Sequence, residues 1–165
     1  MNVRAIQLGP TRATRGWLDT VFHDARNRAA LPPQSRCCEW VDTLYERLLN
    51  ARILMLLPVV GAEAAGLYWG APMDGTAYSV HQFVMPPFRR GFLPVRMAKA
   101  CAAKAFELLP NVTHLMGFTP VSNRAATVVA RRAGFRECGV MPHYYETDDG
   151  TEDCTILVME REYNG

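Results

Sequence analysis

Residues 123–139 read NRAATVVARRAGFRECG, and they form the most informative segment of this chain. The apolar residues in the first half of the segment recur at helical spacing, which predicts a helix with one buried face. The predicted face consists of Ala126, Val129, Ala130 and Ala133. Ser122 is placed to cap the start of this helix, and Gly134 is placed to end it. A strand is then expected to begin directly after the glycine.

Apolar periodicity and turn residues extend this pattern on both sides of the segment. The last two strands are predicted at 135–144 and 153–161, joined by a polar turn around 148–150. A strand at 112–118 precedes the segment, and a helix from Pro94 to Leu109 precedes that strand. A proline lies in the first turn of this helix and another just beyond its end, as is usual for helix boundaries.

The first half of the chain alternates between apolar runs of strand length and amphipathic runs of helix length. Strands are predicted at 3–8, 53–57, 64–69 and 77–85, and helices at 14–30 and 40–50. Pro58 is expected to stop the second of these strands. The turn at Asp74-Gly75 is expected to make the strands beside it antiparallel neighbours.

This order of elements predicts an α/β (α+β) fold. A mixed, mostly antiparallel sheet of about seven strands, with about four helices on its two faces, accounts for all of them. The 165 residues, of which 49% are hydrophobic, are enough for one domain with a sizeable core, spanning residues 1–165.

Composition and charge argue against several classes of protein. The net charge of +2 is too small to favour a nucleic-acid partner. The longest apolar run, residues 53–60, contains a proline and is too short to cross a membrane. The first ten residues lack the apolar core of a secretory signal, so the five cysteines are expected to be reduced in the cytoplasm. Cys37 and Cys38 are adjacent, and no CxxC or HxxxH spacing occurs, which argues against a metal site.

The strand at 77–85 leads into a basic loop that opens the helix starting at Pro94. The loop contains Arg89, Arg90 and Gly91. Unpaired backbone N–H groups at a helix start favour an anion, and the two arginines add positive charge beside them. The loop therefore predicts a site for a pyrophosphate group, although an arginine pair at a strand end is also typical of a solvated rim.

The order of elements resembles that of one known family over almost the whole chain, and three segments resemble its motifs. Residues 123–139 resemble its N-x-x-A … G-F-x-x-x-G run, and residues 84–91 resemble its strand-to-loop junction. Asp149-Gly150, with Asp153 before the last strand, is similar to the branch that acetylates the N-termini of ribosomal proteins. The family is the GNAT superfamily of acetyl-coenzyme-A-dependent N-acyltransferases. Compact chains of this size also resemble GNAT-like proteins encoded by tailed bacteriophages.

The resemblance implies acetyl-CoA as cosubstrate and a set of residues that bind it. These residues are Phe83, Val84, Arg89, Arg90, Gly91 and Asn123. The arginines and the glycine would hold the pyrophosphate. The two strand residues would run beside the pantetheine arm, with the asparagine on its opposite side. The resemblance also implies that the sheet splays between the strand ending near Met85 and the strand starting near Val112, with the following helix beside the gap.

The basic loop departs from the family pattern. Leu93 stands where a small residue usually lets the backbone approach the phosphates, and in a second alignment Val95 does so too. Pro94 removes one N–H donor from the helix start. The bulky side chain either blocks the approach of the phosphates or points away from it.

The expected catalytic groups also depart from the pattern. Ala130 stands seven residues past the asparagine, where many relatives have a tyrosine that protonates the leaving thiolate. Tyr144 and Tyr145 are the candidates to replace that tyrosine, or else are two aromatic residues at a sheet edge. No acid occurs between residues 77 and 85, so His81 is the candidate base. The alternative role for His81 is that of a partly buried strand residue.

Two functions remain open from the sequence. The first is an acetyl-CoA-dependent N-acetyltransferase that acetylates an amine of a protein or a small molecule. The second is a catalytically inactive GNAT-fold binding or structural protein, such as a bacteriophage virion or assembly component. The sequence does not distinguish the acceptor or the oligomeric state.

Overall fold

The computed structural model describes residues 2–28 and 39–162. The strands are β1 (Val3–Gln7), β2 (Leu54–Val60), β3 (Glu63–Ala64), β4 (Gly66–Pro72), β5 (Ala77–Val84), β6 (His114–Pro120), β7 (Arg136–Thr147) and β8 (Gly150–Glu160). The helices are α1 (Arg12–His23), α2 (Ala25–Arg28), α3 (Glu39–Leu49), α4 (Leu93–Leu108) and α5 (Arg124–Ala133), with a 3-10 turn at Pro86–Phe88. The predicted order of elements is confirmed, with short α2 and β3 as additions. In the described part of the chain, no helix is long and apolar enough to cross a membrane.

The strands form one sheet in the order β1-β2-β4-β5-β6-β8-β7, and β3 pairs with β2 at its side. The β5–β6 pair is parallel, and the other neighbours are antiparallel. The predicted mixed, mostly antiparallel sheet is therefore confirmed.

Helices cover both faces of this sheet, each over its own apolar cluster. On one face α4 and α5 pack against β5, β6 and β8, and the buried side chains there include Tyr78, Ala98, Cys101, Leu115 and Leu157. On the other face α1 and α3 pack against β2, β4 and β5, and the buried side chains there include Leu18, Phe22, Leu44, Met55, Leu67 and Phe83. The odd-numbered residues of β5 therefore face α1 and α3, and its even-numbered residues face α4.

The first helix differs from the prediction of one helix over 14–30. It begins earlier, because the Thr11 side chain accepts a hydrogen bond from the backbone N–H of Thr14 at 3.1 Å and so caps the helix. It ends at His23, because Asp24 has an extended backbone with ψ 124°. Residues 29–30 of the predicted helix lie outside the described residues.

Pro58 does not stop β2, contrary to the prediction. The strand runs on to Val60, and Pro58 pairs with Ala5 of β1. The proline lies between the part of β2 that pairs with β4 and the part that pairs with β3. There its carbonyl accepts a hydrogen bond from Ala65 N at 2.8 Å. A residue without an N–H donor is tolerated at this position, because neither β3 nor β4 pairs with β2 there.

The start of α5 also differs from the prediction. Asn123 is the capping residue, and its side-chain oxygen accepts a hydrogen bond from Ala126 N at 3.1 Å. Ser122 instead donates to the Glu152 carboxylate through both its backbone N–H and its hydroxyl group. The predicted stop is confirmed, because Gly134 has φ +115°, a left-handed conformation that glycine adopts without strain.

A buried tyrosine ties three strands together at the end of the sheet near the start of β5. The Tyr78 hydroxyl donates to Gly70 O at 2.9 Å and accepts from Leu54 N at 2.7 Å. The ring lies against Gly70, where an added Cβ would stand 2.6 Å from Tyr78 Cε1. A glycine at position 70 therefore makes room for the hydrogen-bonded ring.

Tyr78→Phe should lower the free energy of unfolding by about 1–3 kcal/mol, because it leaves the buried Leu54 N–H without its acceptor. Urea denaturation of the variant and the parent protein measures this difference. Tyr144→Phe is the matched control, since Tyr144 is 47% exposed, and it should change stability by less than about 0.5 kcal/mol. Equal stability of the two variants would contradict the role of the Tyr78 hydroxyl.

Candidate active site

An opening in the middle of the sheet is the main candidate site. β5 and β6 pair in register from Ala77 with His114 to Val80 with Gly117. Beyond that register β5 continues to Val84 beside β4 alone, and β6 continues to Pro120 beside β8 alone. The predicted splay is therefore confirmed, and α4 packs beside it.

The β5 flank of the opening presents backbone hydrogen-bonding groups. Met85 N donates to Ala65 O at 2.9 Å, on the side of β4. Because backbone groups of successive strand residues point to opposite edges, the groups of Phe83 also turn toward β4. Those of Gln82 and Val84 turn toward the opening. Of the two strand residues predicted to bind cosubstrate, Val84 thus lines the opening with its backbone, and Phe83 contributes a buried side chain.

The Arg89 side chain turns back onto this flank. Its Nε donates to Val84 O at 2.7 Å, and its guanidinium carbon lies 5.7 Å from the centroid of the Phe83 ring. Arg90 is exposed one residue further along the loop. The two predicted arginines are therefore at the same end of the opening. The Arg89 side chain is hydrogen-bonded to the Val84 carbonyl, which faces the opening.

The bulky loop residue points away from the loop surface. Leu93 packs against a buried cluster that contains Val60, Ala65 and Met97. Gly91 has φ +59°, and the space beside its Cα is open within 4 Å. Pro94 is buried, and its carbonyl accepts a hydrogen bond from the Gln82 side chain at 3.3 Å. Leu93, the residue that departs from the family pattern, thus packs against this cluster and leaves the outer face of the loop accessible.

A basic groove adjoins the start of α4, and the sequence analysis missed it. The groove is lined by Phe92, Val95, Arg96, Lys99 and Arg132. Phe92 is 66% exposed, and the Arg132 guanidinium carbon lies 5.6 Å from its ring centroid. The spacing of Arg96 and Lys99, which places both on one face of a helix, was the available signal.

His81 lies on the face of the sheet that α1 and α3 cover, at the edge of the opening. Its ring stacks on Trp69 of β4, with centroids 5.2 Å apart and planes 16° apart. Burial lowers the pKa of His81, because the charged imidazolium loses solvation. His81 is therefore neutral near pH 7, as a proton acceptor must be.

The two neighbouring tyrosines occupy different places beside the opening. Tyr144 is exposed, and its ring stacks on Phe118 with centroids 5.6 Å apart. The Tyr145 hydroxyl donates to Phe118 O at 2.8 Å. Phe118 follows the last residue of β6 that pairs with β5, so this hydroxyl lies on the β6 flank of the opening.

Asn123 is at the start of α5, where its side-chain oxygen caps the helix and the residue is exposed. The structure therefore places the six predicted cosubstrate residues on the β5 end, the basic loop and the α5 start. Among the described residues, no group of three or more His, Cys, Asp or Glu side chains is arranged to hold a metal ion.

Comparison with known proteins gives structural matches only. No protein-family model matches the sequence, and no curated protein does so. The ribosomal-protein-S5-alanine acetyltransferase from Vibrio fischeri has a TM-score of 0.78 and 13% identity, and the match covers 98% of this chain and 94% of that one. The structure of AAC(6')-Ib in complex with ribostamycin and coenzyme A has a TM-score of 0.75 and 16% identity, with the same coverage of 98% and 94%.

A third similar structure is the microcin C7 self-immunity acetyltransferase MccE in complex with acetyl-CoA and AMP. It has a TM-score of 0.74 and 13% identity, and the match covers 96% of this chain and 93% of that one. Identities this low establish a shared fold. The parted sheet, the basic loop before α4 and these near-complete structural matches together show that the chain has the GNAT fold.

Proposed function

We propose that this chain is an acetyl-CoA-dependent N-acetyltransferase that acetylates an amine of a protein or a small molecule. The opening between β5 and β6 is the observation that carries the proposal. It offers backbone hydrogen-bonding groups of Gln82 and Val84 on one flank. It ends beside the start of α4, where Arg89 and Arg90 are exposed and Arg96 lines the adjoining groove. A long ligand with amide groups in the middle and phosphates at one end matches that arrangement.

The described residues fit such a ligand part by part. The amide groups of the pantetheine arm would pair with the β5 backbone, as an added strand would. The pyrophosphate would lie at Gly91 and the start of α4, where the helix has no side-chain cap of its own. Arg89 and Arg90 would neutralise it, with Arg89 leaving the Val84 carbonyl. Asn123 would lie beside the arm at the start of α5.

The groove beside α4 suits the nucleotide end of the same molecule. Arg96, Lys99 and Arg132 supply three cations, and Phe92 supplies an exposed aromatic face. Phosphates favour such cations, and a flat base favours such a face. The groove continues from the basic loop, so one ligand can reach both.

The acetyl thioester supplies an electrophilic carbonyl to an incoming amine. The chain's own part begins with deprotonation, because an ammonium group cannot attack. His81 is neutral and lies on the face of the opening away from α4, so an amine that enters there can pass its proton to the imidazole. Trp69, stacked on the ring, holds the orientation of His81.

The similar structures support this proposal with their own ligands. AAC(6')-Ib was solved with ribostamycin and coenzyme A, and MccE with acetyl-CoA and AMP. The acceptors of these proteins differ, so the acceptor proposed for this chain stays at the level of an amine.

Arg89→Ala combined with Arg90→Ala should weaken acetyl-CoA binding by a few kcal/mol, because charge-assisted hydrogen bonds contribute about 1.5–3 kcal/mol each. Isothermal titration calorimetry measures the change. Arg47→Ala with Arg52→Ala is the matched control, since both arginines are exposed at the opposite end of the sheet. Equal affinity of the test variant and the parent protein would place the pyrophosphate elsewhere.

The parent protein in the same experiment decides between the two functions left open by the sequence. Acetyl-CoA at a hundredfold excess over its dissociation constant should stabilise the folded protein by about 2.7 kcal/mol and raise its melting temperature. No heat and no change in melting temperature would favour a binding or structural protein without catalysis.

His81→Gln should lower kcat by about 10²–10⁴-fold and leave the affinity for acetyl-CoA unchanged, because it removes a proton acceptor and no cosubstrate contact. Since burial lowers the pKa of His81, the acid limb of the parent's activity profile should lie below the ordinary histidine value of about 6.5. Steady-state kinetics across pH measures both effects. Unchanged turnover with a lower melting temperature would make His81 a structural residue.

His81→Gln should also make the stability of the folded protein less dependent on pH. In the unfolded chain the imidazole binds a proton below about pH 6.5, whereas in the folded chain it does so only at lower pH. The unfolded state therefore gains protons first, and stability falls as the pH drops below about 6.5. Urea denaturation should show a smaller loss over this range in His81→Gln than in the parent protein.

A further inference from the structure

Stacked aromatic side chains stand on both flanks of the opening, on the face of the sheet away from α4. On the β5 flank His81 stacks on Trp69, with ring centroids 5.2 Å apart and planes 16° apart. On the β6 flank Phe118 stacks on Tyr144, with centroids 5.6 Å apart and planes 23° apart. Deprotonation of an amine by His81 gives the rings on the β6 flank no part, so their place beside the opening needs a separate explanation.

The strand register sets the two stacks opposite each other. The parallel ladder ends where Val80 pairs with Gly117, so His81 and Phe118 are the next residues on the two strands. Leu115 packs with the α4 cluster, and alternation along β6 then turns Phe118 to the other face of the sheet. His81 is on that same face, which α1 and α3 cover beside it. The two side chains therefore project from one face, each from its own flank.

Each stack leaves a flat face toward the opening. Trp69 belongs to β4, so it covers the face of the His81 ring that is turned away from the opening. Tyr144 belongs to β7, which lies beyond β8 from β6, so it covers the far face of the Phe118 ring. In the described part of the chain, the His81 and Phe118 rings do not contact each other. We call the space between these two rings the aromatic slot.

The aromatic slot suits a planar, apolar group. Stacked and edge-on contacts between aromatic rings add to the free energy gained from burial of apolar surface. His81 and Phe118 are both half-buried, so a group held between them loses water on two sides. An ammonium group is attracted to one face of an aromatic ring, whereas a planar group contacts both walls of the slot at once. The slot therefore favours an aromatic ring over a second cation.

We propose that the acceptor is an arylalkylamine and that its ring is held in the aromatic slot, between His81 and Phe118. This inference rests on the proposed acetyltransferase function. The lone pair of the imidazole lies in the plane of its ring, so the acceptor ring covers the face of His81 while the amine, on a short arm, reaches the edge. Tyr144 supports the Phe118 ring from behind and acts as a positioning residue.

The reaction with such an acceptor balances. The nitrogen of the neutral amine forms a bond to the acetyl carbon, and the carbon–sulfur bond breaks with its electron pair going to sulfur. The original ammonium nitrogen loses two protons, of which one passes through His81 to solvent and the other ends on the sulfur. The products are an N-acetylated arylalkylamine and a free thiol.

The parent protein loaded with CoA should bind 2-phenylethylamine about tenfold more tightly than 2-cyclohexylethylamine, because stacking on two faces adds about 1.4 kcal/mol to burial alone. The two amines share one carbon skeleton, and only the first has a flat ring. Calorimetry measures both affinities, and steady-state kinetics with acetyl-CoA should show the same preference in kcat/KM. A tripeptide with an N-terminal phenylalanine carries the same amine and ring, so its affinity distinguishes a free amine from a peptide N-terminus as the source.

Phe118→Leu should lose the preference for the aromatic amine, because it keeps an apolar side chain and removes one flat wall of the slot. Phe118→Tyr keeps the ring and should retain the preference. Tyr45→Leu is the matched control and should also retain it, since the Tyr45 ring contacts Arg15 of α1 outside the slot. The comparison of the two amines on the parent protein needs no variant, so it remains decisive even if Phe118→Leu is poorly folded.

Equal affinity of the parent protein for the two ring amines would overturn the aromatic slot and leave the proposed function standing. A preference for the aliphatic polyamine spermidine, which would bind through cation–π contacts alone, would do the same. So would a protein that binds acetyl-CoA and acetylates none of the arylalkylamines. A parent protein that does not bind acetyl-CoA would overturn the proposed function itself.

Discussion

The hydrogen-bonding demand of two diverging strands is the constraint on which the rest of this structure depends. β5 and β6 pair only as far as Val80 and Gly117, so each flank beyond them has backbone groups without a strand partner. A buried polar group left unpaired costs about 1–3 kcal/mol. Side chains of Arg89 and Tyr145 satisfy one carbonyl on each flank, and a ligand inserted between the strands would satisfy others. The opening is therefore the part of the sheet where backbone groups remain available to a ligand.

The two sides of this opening differ in chemistry. On the α4 side the basic groove collects the cations Arg96, Lys99 and Arg132, which favour the phosphates of a nucleotide. On the opposite side lie His81, whose pKa is lowered by burial, and Tyr145, whose hydroxyl donates to the Phe118 carbonyl. The net charge of +2 hides this arrangement, because the cations of the groove are offset by acids elsewhere on the surface.

Local sequence signals predicted elements well where neighbours along the chain decide the structure. The bounds of α4 were right to within one residue, and Gly134 ends α5 as its φ of +115° requires. The misplaced boundaries share a cause. Pro58 lies within a strand because its missing N–H falls between two partner strands. Ser122 does not cap α5, because its backbone N–H is hydrogen-bonded to Glu152 of β8, and Asn123 is the cap instead. Each of these outcomes depends on a residue that is distant in the sequence.

Periodicity and caps thus sufficed for the order of elements and the mixed sheet, and the place of the opening followed from the resemblance to the GNAT superfamily. Tertiary structure decided which groups face that opening. Both faces of β5 are apolar, so alternation left the side of His81 open until α1 and α3 packed over its neighbours. The Tyr145 hydroxyl meets a carbonyl 27 residues away, and Arg161 binds the Phe106 carbonyl at the end of α4, 55 residues away. Such contacts leave no periodic trace in a sequence, because they arise only when separate elements are brought together by the sheet.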